Sequence, residues 1–204
     1  MDTKEKILQY ASHKFLSIGI RNVTMDMLAS ELAISKRTIY ELFGDKEMLV
    51  IESLRHMILQ NNKQLVKIIE NTDNVVEAVF LITRHQEKMR KDYPVVFVED
   101  VKKYFPLVNA SFFASKNDLK KFSVSYVLLE KGMKEGVFRR DLKTELVDHF
   151  IHEIITLVHT SERIRSFNPC DADVLNNIFL PYLRGICTAK GLELMDQYFE
   201  EKNN

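Results

Sequence analysis

Residues 23–50 read VTMDMLASELAISKRTIYELFGDKEMLV, and the punctuation of this stretch sets the fold. Thr24 is a favoured N-cap for a short helix over Met25 to Leu32, and Ser35 for another over Lys36 to Phe43. Gly44 ends the second helix, and Asp45 caps a third that begins at Lys46. Two short helices joined by so few residues make a helix-turn-helix when a small residue lets them cross closely and apolar residues lock the angle. Here Ala29 is the small contact, Ala33 and Ile34 form the turn, and Leu28, Leu32, Ile39 and Leu42 fill the interior. The second helix is thereby held away from the core. Its first turn presents Ser35, Lys36, Arg37 and Thr38, donors suited to phosphates and to base edges in a major groove.

Outward from this stretch, the chain reads as helix throughout. Upstream, Ile7, Ala11, Phe15 and Ile18 share one face of a helix from Thr3 to Ile18, with Asp2 as its cap, Glu5 at the capping-box position and Gly19 beyond its end. Downstream, a helix runs from Lys46 to about Glu70, and Asn74 with Glu77 opens another to about Lys91. Pro94 and Pro106 bound one short helix. Further helices are expected over about Leu119 to Glu135 and Thr144 to Val158. The stretch TSERIRSFNPC reads as a loop, and Asp171 caps a last long helix kinked at Pro181. Apolar residues recur at three and four positions, no alternating run is bounded by hairpin turns, and only 4 Pro and 6 Gly interrupt 204 residues. The expected fold is all-α: an N-terminal three-helix unit over residues 1–47 and a larger helical domain over residues 48–204, about nine helices in all.

Composition narrows the class. With 46% hydrophobic and 28% charged residues, the chain can bury a core and is too apolar to be disordered. No secretory leader is evident and no apolar run reaches a membrane span, so the expected setting is the cytoplasm, with no membrane partner. Cys170 and Cys187 lack metal-site or redox spacing and read as packing residues. The formal net charge is +0, and residues 1–47 balance seven basic against seven acidic side chains. That excludes a bulk-electrostatic nucleic-acid binder, so DNA binding has to come from local segregation of charge.

On the residues quoted above, namely the Thr24 start, Ala29, Ser35-Lys36, Thr38, Ile39-Tyr40, Phe43 and Asp45-Lys46-Glu47, the N-terminal fifty residues resemble the DNA-binding domain of the tetracycline-repressor (TetR/AcrR) family. The resemblance implies a homodimeric regulator on double-stranded operator DNA. It implies that Thr24, Tyr40 and Lys46 touch phosphates and that Ser35, Arg37 and Thr38 lie nearest the bases, beside Lys36. Two departures stand out: Ala33 occupies the turn position where glycine is frequent, and Arg37 replaces a small residue. Arginine pairs bidentately with guanine, which makes Arg37 a source of sequence preference. The competing reading pairs it with Glu41 one turn on. Tyr40 is expected to be exposed, because its neighbours already fill the buried face. Lys46 stands at a helix N-terminus, where a cation opposes the helix dipole and a nearby phosphate would resolve the conflict.

The resemblance also implies a ligand cavity in the larger domain. Six of the 13 Phe fall between residues 80 and 122. The candidate lining is Met57, Phe80, Phe97, Phe105, Phe112, Phe113 and Tyr126, with Arg84 and His85 as polar groups that either orient a small apolar or aromatic effector or face solvent. Residues 144–158 carry two adjacent apolar stripes, Leu146, Phe150, Ile154 and Leu157 beside Val147, Ile151, Ile155 and Val158. With Ile178, Tyr182 and Ile186 of the last helix, this two-sided pattern predicts a dimer interface. Asp148, His149, His152, Glu153 and His159 have no second ligand cluster and are read as hydrogen-bonding groups; neither metal nor cofactor is expected. The motifs GxSxG and HExxH and a glycine-rich phosphate loop are lacking, which argues against an enzyme. A dimeric binding module with a vestigial helix-turn-helix is disfavoured by the intact Lys36, Tyr40 and Lys46.

Overall fold

A computed structural model describes residues 2–91, 93–113, 123–167 and 171–203. In order, the helices are α1 (Thr3–Ile18), α2 (Met25–Glu31), α3 (Lys36–Phe43), α4 (Lys46–Glu70), α5 (Val75–Lys91), α6 (Val95–Phe113), α7 (Val124–Lys134), α8 (Thr144–Thr160), α9 (Glu162–Arg165), α10 (Asp171–Val174), a π-helical turn Leu175–Phe179, α11 (Leu180–Ile186) and α12 (Ala189–Asn203). The described residues form no strand, and the one isolated bridge pairs Phe138 with Cys187. The fold is all-α, as the spacing of apolar residues requires. No helix among the described residues is long and apolar enough to cross a membrane.

The chain packs as two compact units. Unit 1 comprises Met1–Asn61 and Met89–Ala114, and unit 2 comprises Asn62–Lys88 and Ser115–Asn204. These packing units cut the chain elsewhere than the expected division at 47/48, because the first part of α4 and α6 pack with the N-terminal helices. In unit 1, Ile7, Ala11 and Phe15 of α1, Leu28 and Ala29 of α2, Ile39 and Phe43 of α3, and Leu49, Val50 and Leu54 of α4 share one core with Phe97 and Val108 of α6. Ile18 is 39% exposed, because the chain leaves α1 at Gly19 and Ile20 turns back into the core in its place. Leu42 is likewise exposed, since Ile39 and Phe43, one turn apart, already occupy the interior of α3. Asp2 precedes α1 in extended conformation, but its side chain makes no capping hydrogen bond.

In unit 2, Val75 and Val76 of α5 and Leu129 of α7 pack with Val137, Phe138, Val147 of α8, Leu180 and Ile186 of α11, and Met195 of α12. Lys131 closes the α4–α5 corner by donating to the carbonyls of Ile69 (2.9 Å) and Thr72 (2.6 Å), while Glu135 accepts the Val75 amide at 2.8 Å. These bonds satisfy groups that helix ends leave unpaired. Cys187 is buried, and desolvation pushes its thiol up to about 11, in keeping with a packing role.

Several elements differ from expectation. Helix α6 continues through Pro106 to Phe113, since a proline removes a single helical donor and a packed helix tolerates that loss as a local cost. Helix α7 is described from Val124, with Ser123 as its cap, and residues 119–122 lie outside the described residues. The expected loop after α8 contains α9, capped by Ser161, whose hydroxyl accepts the Ile164 amide. The last long helix is interrupted twice. A π turn precedes Pro181, which has no amide to continue the regular ladder, and the chain breaks at Cys187 and Thr188 before α12. There Thr188 donates its amide to Val137 O (2.9 Å) and its hydroxyl accepts the Gly191 amide (3.2 Å), so α12 starts on its own cap.

Candidate nucleic-acid interface

The three capping residues act as their types require. Thr24 accepts the Met27 amide at 3.1 Å, Ser35 the Thr38 amide at 3.0 Å, and Asp45 the Met48 amide at 2.8 Å. Between α2 and α3 the turn is a Schellman motif. Ile34 N–H donates to Ala29 O (3.0 Å), Ala33 N–H donates to Ser30 O (3.2 Å), and Ala33 takes φ +52°. This is the conformation for which glycine is the usual residue, so the alanine is strained here. With Leu28 and Ile39 fully buried behind it, α3 has one apolar edge fixed and its first turn outward.

That first turn carries a closed set of short contacts. The Ser35 and Thr38 hydroxyls lie 2.8 Å apart. Lys36 Nζ is 2.8 Å from the Asp26 carboxylate of α2 and 5.9 Å from the centre of the Tyr40 ring. The hydrogen bond to Asp26 holds the ammonium above the ordinary lysine range. Arg37 is paired with Glu41 at 2.7 Å, the alternative that the sequence left open, yet its side chain stays 86% exposed. An exposed i,i+4 pair is worth only tenths of a kcal/mol, so a stronger acceptor displaces it at little cost. Tyr40 is exposed, as expected from the filling of the buried face by Ile39 and Phe43.

Lys46 has a partner within the protein. Its Nζ donates to the carbonyl of Arg21 at 3.2 Å. Partial burial pulls this ammonium below the ordinary lysine range, against the opposing pull of Asp100. An ammonium has three donors, and the bond to Arg21 uses one. Arg21 itself pairs with Asp100 of α6, Nε to Oδ1 at 2.8 Å, and donates its amide to Oδ2 at 3.2 Å. Neither Arg21 nor Asp100 stood out in the sequence, because no motif joins positions so far apart.

The candidate effector residues fall in both units. Met57 and Phe97 belong to the packing of unit 1, where Phe97 meets Tyr93 edge-on at 5.5 Å. In unit 2, Phe80 stacks on Tyr198 at 5.5 Å, and Tyr126 is buried. Arg84 is exposed and His85 half-buried. The side chains of Phe105, Phe112 and Phe113 lie outside the described residues.

On α8, Leu146, Phe150 and Leu157 are 65%, 46% and 53% exposed, while Val147 on the neighbouring stripe is buried in the core. Ile154 and Val158 are half-buried, as are Ile178 and Tyr182, and the Phe150 and Tyr182 rings lie 5.2 Å apart. Ile186 departs from this set: it is 6% exposed, because it fills the core of its own unit. Asp148 is buried and accepts hydrogen bonds from Ser123 and Ser125, and no group of three potential metal ligands is found among the described residues. The side chain of His159 lies outside them.

Comparison with known proteins gives a consistent picture. Residues 7–52 match the family described as bacterial regulatory proteins, tetR family. The chain is 25% identical over 154 residues to the HTH-type transcriptional repressor KstR2 of Mycolicibacterium smegmatis, covering 74% of each chain. It is 23% identical over 190 residues to KstR2 of Mycobacterium tuberculosis, covering 92% of this chain and 94% of that one. A TetR-family transcriptional regulator of Pectobacterium atrosepticum shares the fold with a TM-score of 0.57 at 17% identity, covering 77% of this chain and 79% of that one. The N-terminal segment is thus similar in sequence to the DNA-binding part of tetR-family regulators, and the helical fold beyond it is shared with a solved TetR-family regulator.

Proposed function

We propose that this protein is a repressor that binds a near-palindromic operator as a homodimer and is released by a small apolar or aromatic ligand. The observation that carries the reading is the start of α3: Ser35, Lys36 and Arg37 are exposed and Thr38 half-buried beside them, four donor-bearing residues on a helix whose apolar edge is locked against α2. A recognition helix enters the major groove in this way, with its N-terminal residues at the base edges. In this reading Ser35, Lys36, Arg37 and Thr38 meet bases or nearby phosphates, and Thr24, Tyr40 and Lys46 meet the backbone. Residues 1–47 then serve DNA binding and residues 48–204 serve ligand binding and dimerisation, in the cytoplasm with the operator.

Repression is supported by relatives that are named repressors. Dimerisation through α8 and α11 is supported by the exposed stripe Leu146, Phe150 and Leu157, which extends toward Tyr182, because a stripe of large apolar side chains on a helix calls for a covering partner. Two-fold symmetry of the protein requires matching half-sites in the DNA. An apolar or aromatic effector is supported by the concentration of Phe between residues 80 and 122. Its action is a coupling of about 1–3 kcal/mol, reciprocal between ligand and DNA.

The test is selection of bound duplexes from a random pool, followed by a screen of small apolar and aromatic molecules for release of the selected sequence. A pool that yields no preferred sequence refutes specific binding. Ligands that bind but leave operator affinity unchanged refute the regulatory part.

A further inference from the structure

We infer that Arg21 is a further DNA-backbone contact of this face, positioned by the buried carboxylate of Asp100. The inference rests on the DNA-binding reading above and adds to it a residue that neither the helix-turn-helix pattern nor the family resemblance selects.

Around α2 and α3, the cations Lys36 and Arg37 are matched by carboxylates that are themselves exposed, Asp26 at 71% and Glu41 at 60%. A phosphate approaching either cation also meets an anion at the surface, and the pair must open first. Arg21 is different: its side chain is 84% exposed, whereas that of its partner Asp100 is 4% exposed. Among the described ion pairs of unit 1, this one alone puts a strongly exposed cation over a buried anion. A phosphate can therefore reach the guanidinium without meeting the paired carboxylate at the surface.

Location fits the same role. Arg21 lies three residues before Thr24 and receives the Lys46 ammonium on its main-chain oxygen, so it stands beside two candidate phosphate contacts. Arg21 pairs with the Asp100 carboxylate, and Lys46 also feels its charge. Asp100 holds the Arg21 peptide amide as well as its side chain, and Lys46 holds the peptide oxygen. The backbone at Arg21 is thus gripped from both sides, and a guanidinium anchored through Nε keeps its outer nitrogens for a second acceptor. Asp100 is accordingly a positioning residue, and Arg21 the group that meets DNA.

The test uses the full-length chain with its selected duplex and with random duplex over a salt series. Arg21→Gln is expected to weaken both duplexes by the same factor and to lower the slope of log K against log salt by about 0.9 per subunit. Arg21→Lys, which keeps the charge, is expected to keep the slope. An unchanged slope in Arg21→Gln overturns the inference whatever the affinity does, because a purely structural role leaves the number of released ions the same. If Arg21→Gln does not fold, owing to the carboxylate it leaves unpaired, Asp100→Asn and the double variant make the comparison. The double variant must have the lower slope, and equal slopes overturn the inference. A parent chain that selects no DNA overturns the DNA-binding reading together with this one, whereas selection with an unchanged Arg21→Gln slope overturns this one alone.

Discussion

Gly19 and Val96 approach so closely that a Cβ on Gly19 would stand 2.6 Å from Val96 Cγ1. The contact joins the end of α1 to the first turn of α6 within unit 1, and Gly19 also takes φ +83°. Gly19→Ala therefore meets a clash and a left-handed backbone at once, and should lose about 1–3 kcal/mol of stability. Val96→Ala should relieve the clash but leave the backbone term. Urea unfolding of the two single variants and the double checks this, and strict additivity would show that Val96 is no part of the cost.

Ala33 should respond in the opposite direction. It holds the left-handed position of the turn between α2 and α3, so Ala33→Gly removes strain in the folded state while adding freedom to the unfolded one. The expected net effect is a gain of about 0.5–1 kcal/mol. A lower midpoint in urea would mean that the alanine is not strained there.

Contacts to bases and contacts to phosphates leave different marks on binding. Arg37→Ala should cost about 1–3 kcal/mol on the selected operator and relax preference at one base pair in each half-site. Lys46→Ala should weaken operator and random duplex alike and lower the salt slope by about one per subunit. If Arg37→Ala loses affinity equally for all sequences, its exposed pairing with Glu41 or a phosphate is its whole role, and preference belongs to Ser35, Lys36 or Thr38.

On α8, Phe150→Glu combined with Ile154→Glu puts charge into the apolar stripe that faces outward beside Tyr182. Dimerisation should weaken by about 2 kcal/mol or more, and operator binding with it. Sedimentation over a range of protein concentrations is the measurement, and an intact dimer refutes this interface.

His152 links unit 2 to pH. Its side chain is a quarter exposed, with Nε2 3.2 Å from Ser123 Oγ and 3.7 Å from the buried Asp148 carboxylate. Burial pulls its pKa below the ordinary histidine value, helped by His149 and opposed by Asp148 and Glu153. The folded state then binds fewer protons than the unfolded one, so this contribution is complete above about pH 6.5 and is lost as pH falls below it. The slope from this one group is at most about 1.4 kcal/mol per pH unit. Unfolding of the parent and of His152→Gln at about pH 7.5 and about pH 5.5 should show a flatter dependence in the variant. Identical dependence in both would assign the effect to other groups.

The helix-turn-helix was legible because its signals are local. Thr24, Ser35 and Asp45 each cap an amide three residues ahead, and such bonds form from neighbours in the chain whatever surrounds them. The exposed stripe of α8 was legible for a related reason, since helical periodicity alone puts Leu146, Phe150 and Leu157 on one side. Ile186 shows the limit of that reasoning: periodicity marks a residue as apolar-facing, but only packing decides whether the core of its own unit or the surface receives it. The same holds for Pro106, which a packed α6 absorbs, and for Leu42, displaced to the surface by Phe43. Arg21 and Asp100 are 79 positions apart, and their pairing exists only because α6 folds back onto the N-terminal helices. Helix starts and faces follow from neighbouring residues, whereas the counter-charge beneath the DNA-binding edge depends on which distant segment the core brings there.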